Sequence, residues 1–234
     1  MTDLVTFVMV VSNSMPHIQA TISSLYQSTN YPFTLIIVES ESTDGTQEYL
    51  DHLATIHNNI KIIHTKKEGT VKAFNVGIRA TEKGSHVFLC HDDVYFFKWY
   101  MKDWLDICMN TLKNNPKMGL LIPMSGGGIS GPDYVDGLFW AGTWSTLIRN
   151  EVIEKFGKEM FLDENFGKGF GDDIDMTYRT LKLGYTLCRL EFWIDHHRLS
   201  EHKYESNPDA EEIKKKNALY FRKKHDLIPV GVAQ

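Results

Sequence analysis

The feature that most constrains this chain is an alternation. Short, unbroken apolar runs take turns with segments striped at helical spacing, and a polar cluster follows most of the runs. A strand buried on both faces reads as a continuous apolar run, whereas a helix lying on a sheet reads as a stripe of period 3.6. Leu4 to Val11, Phe33 to Val38, Ile60 to His64 and Val87 to Cys90 read as strands. Between and after them, four segments read as helices. Ile18, Ile22, Leu25 and Tyr26 mark the first, with Ser14 as its cap, and Tyr49, Leu50, Leu53 and Ile56 mark the second. The third runs from Gly69 to Thr81, and Trp104, Leu105, Cys108, Met109 and Leu112 mark the fourth. Such alternation with short connections predicts an α/β fold with a doubly wound, mostly parallel sheet. Sheets of this kind bind ligands at the carboxyl ends of their strands. Ser12-Asn13-Ser14, Glu39-Ser40-Glu41-Ser42 and His91-Asp92-Asp93 lie at those ends.

The pattern changes after Pro123. Ser125 to Pro132 reads as a mobile glycine-rich loop, and Gly137 to Ile148 as strand or hairpin carrying Phe139, Trp140 and Trp144. Glu151 to Phe156 reads as a short helix. A loop dense in glycine and acids, Phe161 to Asp175, leads into a helix from about Asp173 to Leu183, and a late strand follows at Thr186 to Leu190. Asp209 to His225 reads as a helix with acids at its start and bases at its end, which suits the helix dipole. No linker or repeat interrupts the chain, so one domain is expected over 1–234, with internal divisions near residues 123 and 200.

Composition removes several classes. A net charge of −5 gives no global field for a polyanion, so bulk nucleic-acid binding is not expected. The three cysteines, Cys90, Cys108 and Cys188, form no CxxC pair, which argues against a disulfide framework or structural zinc and for a reducing compartment. The run Leu4 to Val11 is too short to span a bilayer. A cytoplasmic protein without a transmembrane segment is expected, with peripheral membrane contact left to a surface patch or partner.

Four constellations carry chemistry. Phe88 to Val94 is an apolar strand ending in paired carboxylates, which suit a hard divalent cation whose other ligands come from a diphosphate. A solvated turn is the plain alternative. Asp172, Asp173 and Asp175 open a helix, and three acids in four positions exceed what capping needs. Their repulsion would raise at least one pKa, as a proton acceptor requires, while Asp175 can brace Arg179 at i,i+4. Glu39 ends the second strand and can accept from a base N–H or a ribose hydroxyl, whereas Asp44-Gly45 is read as a turn. His196, in Trp193-Ile194-Asp195-His196-His197-Arg198, follows a late strand and can complete a metal shell or contact phosphate.

Taken in order, these segments resemble family-2 glycosyltransferases of the GT-A fold. The resemblance runs over roughly residues 4–200 and rests on Ser12-Asn13, Val38 to Thr46, Asn75-Val76-Gly77, Cys90-His91-Asp92-Asp93, Asp163-Glu164 before Phe166, Asp172 to Arg179, and His196. It implies a GT-A, Rossmann-like sheet with a smaller carboxyl-terminal acceptor region. Residues 1–123 would bind a nucleoside-diphosphate sugar, 124–200 would hold acceptor and catalytic groups, and 201–234 would form a helical tail. It also implies an inverting transfer to the hydroxyl of a glycan, lipid-linked, protein or other acceptor, with Mn²⁺ or Mg²⁺ as cofactor. Asp173, with Asp172 beside it, would be the base. Ser12, Asn13, Glu39, Lys72, Asn75, His91 and Asp92 would contact the donor, and Asp92, Asp93 and His196 the metal. Trp140, Gly142 and Trp144 would face the acceptor. The sequence departs from the family pattern at Glu39, which stands in place of the usual Asp, and at Cys90, where the first acid of Asp-x-Asp often sits.

Two rival readings remain at this stage. A nucleotidyltransferase would want a glycine-rich loop after the first strand, where Ser12-Asn13-Ser14-Met15-Pro16 has none. A non-catalytic nucleotide-sugar-binding module would not need the full set of acids.

Overall fold

The computed structural model describes residues 3–96, 104–123, 127–131, 133–167, 169–190, 194–196 and 208–227. The expected first half is present: β1 (Val5–Val11), α1 (His17–Ser28), β2 (Thr34–Ser40), α2 (Thr46–Ile56), β3 (Ile60–Thr65), α3 (Thr70–Arg79), β4 (His86–His91), β5 (Val94–Phe96) and α4 (Trp104–Asn114). There follow β6 (Met118–Pro123), β7 (Gly127–Ile129), β8 (Phe139–Ala141), β9 (Ser145–Ile148), α5 (Asn150–Phe156), α6 (Asp172–Lys182), β10 (Thr186–Leu190), β11 (Ile194–His196) and α7 (Ala210–Lys224).

Seven strands form the central sheet in the order β3-β2-β1-β4-β9-β6-β10. All run parallel except β9, which is antiparallel to both β4 and β6. Both faces are covered, which explains the unbroken apolar runs. In β1, Phe7, Met9 and Val11 face one core with Ile18, Leu25, Leu105 and Leu112, while Val8 and Val10 face the other with Phe74, Ile78, Val152 and Met176. Gly77 lets α3 lie directly on β1: a Cβ there would sit 2.3 Å from Val8 Cγ1.

Three expectations change. Ser14 does not cap α1 with its side chain; its carbonyl accepts from Ile18 N, and its own N–H donates to Thr46 Oγ1. The segment read as a glycine-rich loop contributes a strand, because β7 pairs with β8. β9 leaves that hairpin and enters the central sheet, where Cys90 pairs with Ser145. Of the expected loop, Ser125 and Pro132 lie outside the described residues, as do Trp193, His197 and Arg198. All three cysteines are free. Among the described residues, no helix is long and apolar enough to cross a membrane.

Candidate active site

The carboxyl end of β4 carries the first half of the site. β1 holds β4 in parallel register, with Val10 opposite His91 and Val11 opposite Glu39 on the far side, so three strand ends lie side by side. A second, two-stranded ribbon brings in a remote residue: β5 pairs antiparallel with β11, which sets His196 opposite Val94. His91, Asp93 and His196 therefore meet, each offering a ligand atom within 4.8 Å of the others. His196 Nε2 lies 3.2 Å from Asp93 Oδ1, close enough for an ion pair yet not aligned for a hydrogen bond. Neither His91 Nε2 nor His196 Nε2 has a hydrogen-bond partner among the described residues, although both atoms are buried. Buried polar atoms rarely stay unsatisfied, and two imidazole nitrogens with one carboxylate form a donor set that fits a divalent transition ion. Trp144 stacks flat on His196 at 4.2 Å, and Phe74 stacks on His91 at 5.8 Å, so aromatic rings fix both imidazoles. Burial depresses the His91 pKa to about 4, which keeps that ring neutral.

The second half is the start of α6. Gly171 caps the helix at φ 99°, and a Cβ there would lie 2.7 Å from Tyr134 Oη, so only glycine leaves room for this ring. Asp172 and Asp173 occupy the first turn. Backbone N–H groups at a helix start favour ionised carboxylates, but burial outweighs them here. It pushes Asp172 up to about 6, and burial together with the Asp172 charge pushes Asp173 well above the carboxylate range. The same carboxylates, after burial itself, raise the Tyr134 phenol. Asp175 behaves oppositely. It is fully buried, yet Arg179 Nε at 2.7 Å, Lys224 Nζ at 2.8 Å and His225 Nε2 at 2.8 Å surround it. Burial alone would raise its pKa; the His225, Arg179 and Lys224 partners outweigh burial and lower it. The expected i,i+4 brace to Arg179 is thus one bond of a larger network.

The two halves share one cleft of about 490 Å³. His91 and His196 line it with Asp172, Asp173, Trp140 and Trp144, all expected at the site. Thr70, Tyr134 and residues of α7 (Glu211, Lys214, Lys215) also line it, and sequence reasoning did not assign these to the site. An acid-rich first turn followed by basic residues marked α7 as a helix, but nothing local marked it as a cleft wall.

The other expected residues lie elsewhere. Ser12, Asn13 and Glu39 gather in a separate polar cradle at the ends of β1 and β2. Ser12 Oγ donates to the Ser40 carbonyl, Asn13 Oδ1 accepts from Thr43 N, and Glu39 Oε1 accepts from Ser42 N at 2.6 Å. Glu39 Oε2 faces His64 Nδ1 at 3.0 Å, so the carboxylate expected to hold a nucleobase is 1% exposed and bonded internally through both oxygens. Asn75 is also internal: its side chain accepts from Leu162 N and donates to the Leu162 carbonyl, fastening α3 to the start of the acidic loop. Lys72 is exposed and pairs with Glu68 at 3.2 Å. Gly142 turns the chain between β8 and β9, its carbonyl accepting from Thr146 Oγ1 and Ser145 N. Asp92 lies outside the three-residue cluster, in which His91 takes part instead.

Residues 6–157 match the family described as glycosyl transferase family 2. The chain belongs to that family. An uncharacterized glycosyltransferase of Haemophilus influenzae is 22% identical across 94% of this chain and 75% of its own length. Two solved structures share the GT-A fold. The mannosyltransferase PcManGT from Pyrobaculum calidifontis, in complex with GDP-Man and Mn²⁺, has a TM-score of 0.59 at 19% identity over 82% of this chain. GalNAc-T7 with UDP, GalNAc and Mn²⁺ has a TM-score of 0.65 at 14% identity over 96% of it. This glycosyltransferase spans 55% of each of those two chains. Family membership sets aside the nucleotidyltransferase.

Proposed function

We propose that this glycosyltransferase moves a sugar from a nucleoside-diphosphate donor to an acceptor hydroxyl with inversion at the anomeric carbon. The observation that carries the reading is the single cleft lined both by Asp172 and Asp173, whose pKa values are raised, and by two imidazoles whose buried Nε2 atoms have no hydrogen-bond partner among the described residues. The nucleoside would seat at the adjoining ends of β1, β2 and β4, where Ser12, Asn13 and the loop shaped by Glu39 meet His91. That placement would put the diphosphate beside His91, Asp93 and His196. A divalent cation bound there would supply positive charge against the leaving diphosphate.

Asp173 is the base in this scheme. Its carboxylate takes the proton of the acceptor hydroxyl, the hydroxyl oxygen forms a bond to the anomeric carbon, and the bond from that carbon to the diphosphate oxygen breaks with its electron pair leaving on the nucleotide. A raised pKa suits the role, since a stronger base accepts the proton more readily. Asp172 shares the proton load, because two interacting carboxylates side by side titrate as a pair. Trp140 and Trp144 offer aromatic faces to the acceptor or donor sugar. Both structural neighbours solved with nucleotide and Mn²⁺ support this choice of ligands.

The test is turnover of UDP-, GDP- and dTDP-sugars in Mn²⁺ by the wild-type chain and by Asp173→Asn, with the anomeric configuration of product read by proton NMR. Inverted product from the wild type and none from Asp173→Asn, with donor still bound, is the expected result. Retained configuration, or undiminished transfer by the variant, would overturn the scheme.

A further inference from the structure

Asn217 sits in the middle of α7 and is 4% exposed. A buried amide is a poor choice for a helix interior unless its hydrogen bonds are used. Here they are used on one short segment: Nδ2 donates to the carbonyls of Phe166 at 3.0 Å, Gly169 at 2.8 Å and Phe170 at 3.0 Å. Two N–H groups serve three acceptors, so one is shared.

The segment they hold needs holding. Gly167, Gly169, Phe170 and Gly171 all have positive φ, and Phe170, at 69°, has a side chain that makes that conformation costly. Its ring is covered by Lys214, one helical turn before Asn217 on α7, at 5.2 Å. Immediately after Gly171 come Asp172 and Asp173. The three carbonyls gathered by Asn217 therefore fix the turn that aims both carboxylates into the cleft.

We propose that Asn217 is a positioning residue for the reaction: its amide locks the backbone at Phe166, Gly169 and Phe170, and through it the placement of Asp172 and Asp173. The role assigned to those carboxylates rests on the reading given above, whereas the locking of the turn does not. α7 is then part of the catalytic apparatus, supplying a wall of the cleft on one side and the fastening of the acidic turn on the other.

The experiment compares the full chain with Asn217→Ala and Asn217→Asp, the latter nearly isosteric but without the donors. Lys224→Met serves as a control, since it loosens the same helix at its far end, where Lys224 meets Asp163 and Asp175. Two substrate-free readouts come first: hydrogen exchange of the Gly169 and Gly171 amides, and the carbon-13 carboxyl titration of Asp173. Both Asn217 variants should raise exchange at least tenfold and move the Asp173 titration toward the ordinary carboxylate range. Lys224→Met should leave the Gly169 and Gly171 exchange unchanged while still lowering the melting temperature; because Lys224 pairs with Asp175, beside the two carboxylates, exchange and not the Asp173 titration is the control readout for this variant. With whichever UDP-, GDP- or dTDP-sugar the wild type turns over in Mn²⁺, the Asn217 variants should lose kcat at least tenfold and keep KM for the donor. Unchanged exchange and titration in Asn217→Ala would overturn the proposal, as would an equal rise of Gly169 and Gly171 exchange in Lys224→Met. Altered exchange and titration without turnover of any donor by the wild type would uphold the locking of the turn and count against the proposed function alone.

Discussion

Two groups of residues carry the proposed chemistry, and each makes a prediction. Asp172 and Asp173 hold protons above the ordinary carboxylate range because burial outweighs the helix-start N–H groups. A base must be ionised to act, so kcat should fall as the pH drops, along an acid limb lying at or above about 6 and not near 4. A pH–rate profile checks this, and a limb at the unperturbed carboxylate value would contradict the burial argument. The same shift has a structural consequence of opposite sense. A carboxyl whose folded pKa is raised stabilises the fold at low pH, and that contribution disappears as pH rises through the folded value. Asp173→Asn, which cannot ionise, should therefore be more stable than the wild type at pH 8 while nearly inactive, a loss of about 10²–10⁴-fold for a missing base. The second group is His91, Asp93 and His196. Two imidazoles turn the donor set away from Mg²⁺, which takes oxygen ligands. Mn²⁺ should bind more tightly than Mg²⁺ in calorimetric titration. His91→Ala should weaken Mn²⁺ by at least about 10-fold, since even outer partners of a ligand are worth that much. An unchanged Mn²⁺ affinity would remove His91 from the set. The sequence marked all three positions as functional but placed Asp92 among the ligands and His91 with the donor. Asp92 and Asp93 lie in the turn between β4 and β5, and which of them meets His91 depends on β11, a partner about a hundred residues away that brings His196 in.

At the scale of elements, legibility followed locality. The strands and helices of the first half announce themselves through short periodic patterns, and each lies within a few residues of its expected bounds. Met118 to Pro123 did not, although β6 is a central strand: Met-Gly-Leu-Leu-Ile-Pro is brief, contains a glycine and ends in proline. β9 was legible as a strand but not as an antiparallel insertion between β4 and β6, because its pairing partners are distant in sequence. α7 is the sharpest case, since its sequence shows a helix and not what it docks on. Its docking is electrostatic as well as apolar. Asp163 accepts from Lys224 and Tyr220, and although burial alone would raise its pKa, these bonds hold the carboxyl far below its usual range. Asp175 is lowered likewise by His225, Arg179 and Lys224. Groups with depressed folded pKa values stabilise above their unfolded pKa, and that contribution is lost as pH falls through the folded value. α7 should consequently detach in acid before the sheet unfolds. Its amide resonances should reach random-coil positions at a higher pH than those of β1 or β4. Coincident loss of helix and sheet would show that the ion pairs do not govern docking.

At the scale of the molecule, the expected division into a donor half and an acceptor half meets a sheet that ignores it. β6 and β4 come from the first 123 residues, yet β9 from the acceptor segment lies between them, and β10 closes the edge beyond β6. The polar cradle at the ends of β1 and β2 and the acidic first turn of α6 are thus attached to one continuous hydrogen-bonded layer with a core on each face. Neither half can unfold without stripping β9 of its partners, so thermal unfolding should be a single transition by both circular dichroism and tryptophan fluorescence. A ligand held at the junction should then stabilise the whole. Binding to the native state alone contributes RT ln(1 + [L]/Kd), about 2.7 kcal/mol at a hundredfold excess over Kd. For a chain of this length each kcal/mol moves the midpoint about 2–4 °C, giving a rise of roughly 5–10 °C. With the diphosphate beside His91, Asp93 and His196, as proposed, a nucleoside diphosphate and Mn²⁺ together should produce that shift while either one alone produces far less. In His91→Ala the synergy should vanish although the nucleotide still binds weakly at the β1 and β2 ends. Two separate transitions, or a nucleotide shift indifferent to Mn²⁺, would mean that the cradle and the cation cluster act as independent sites, despite lying at neighbouring ends of the same sheet.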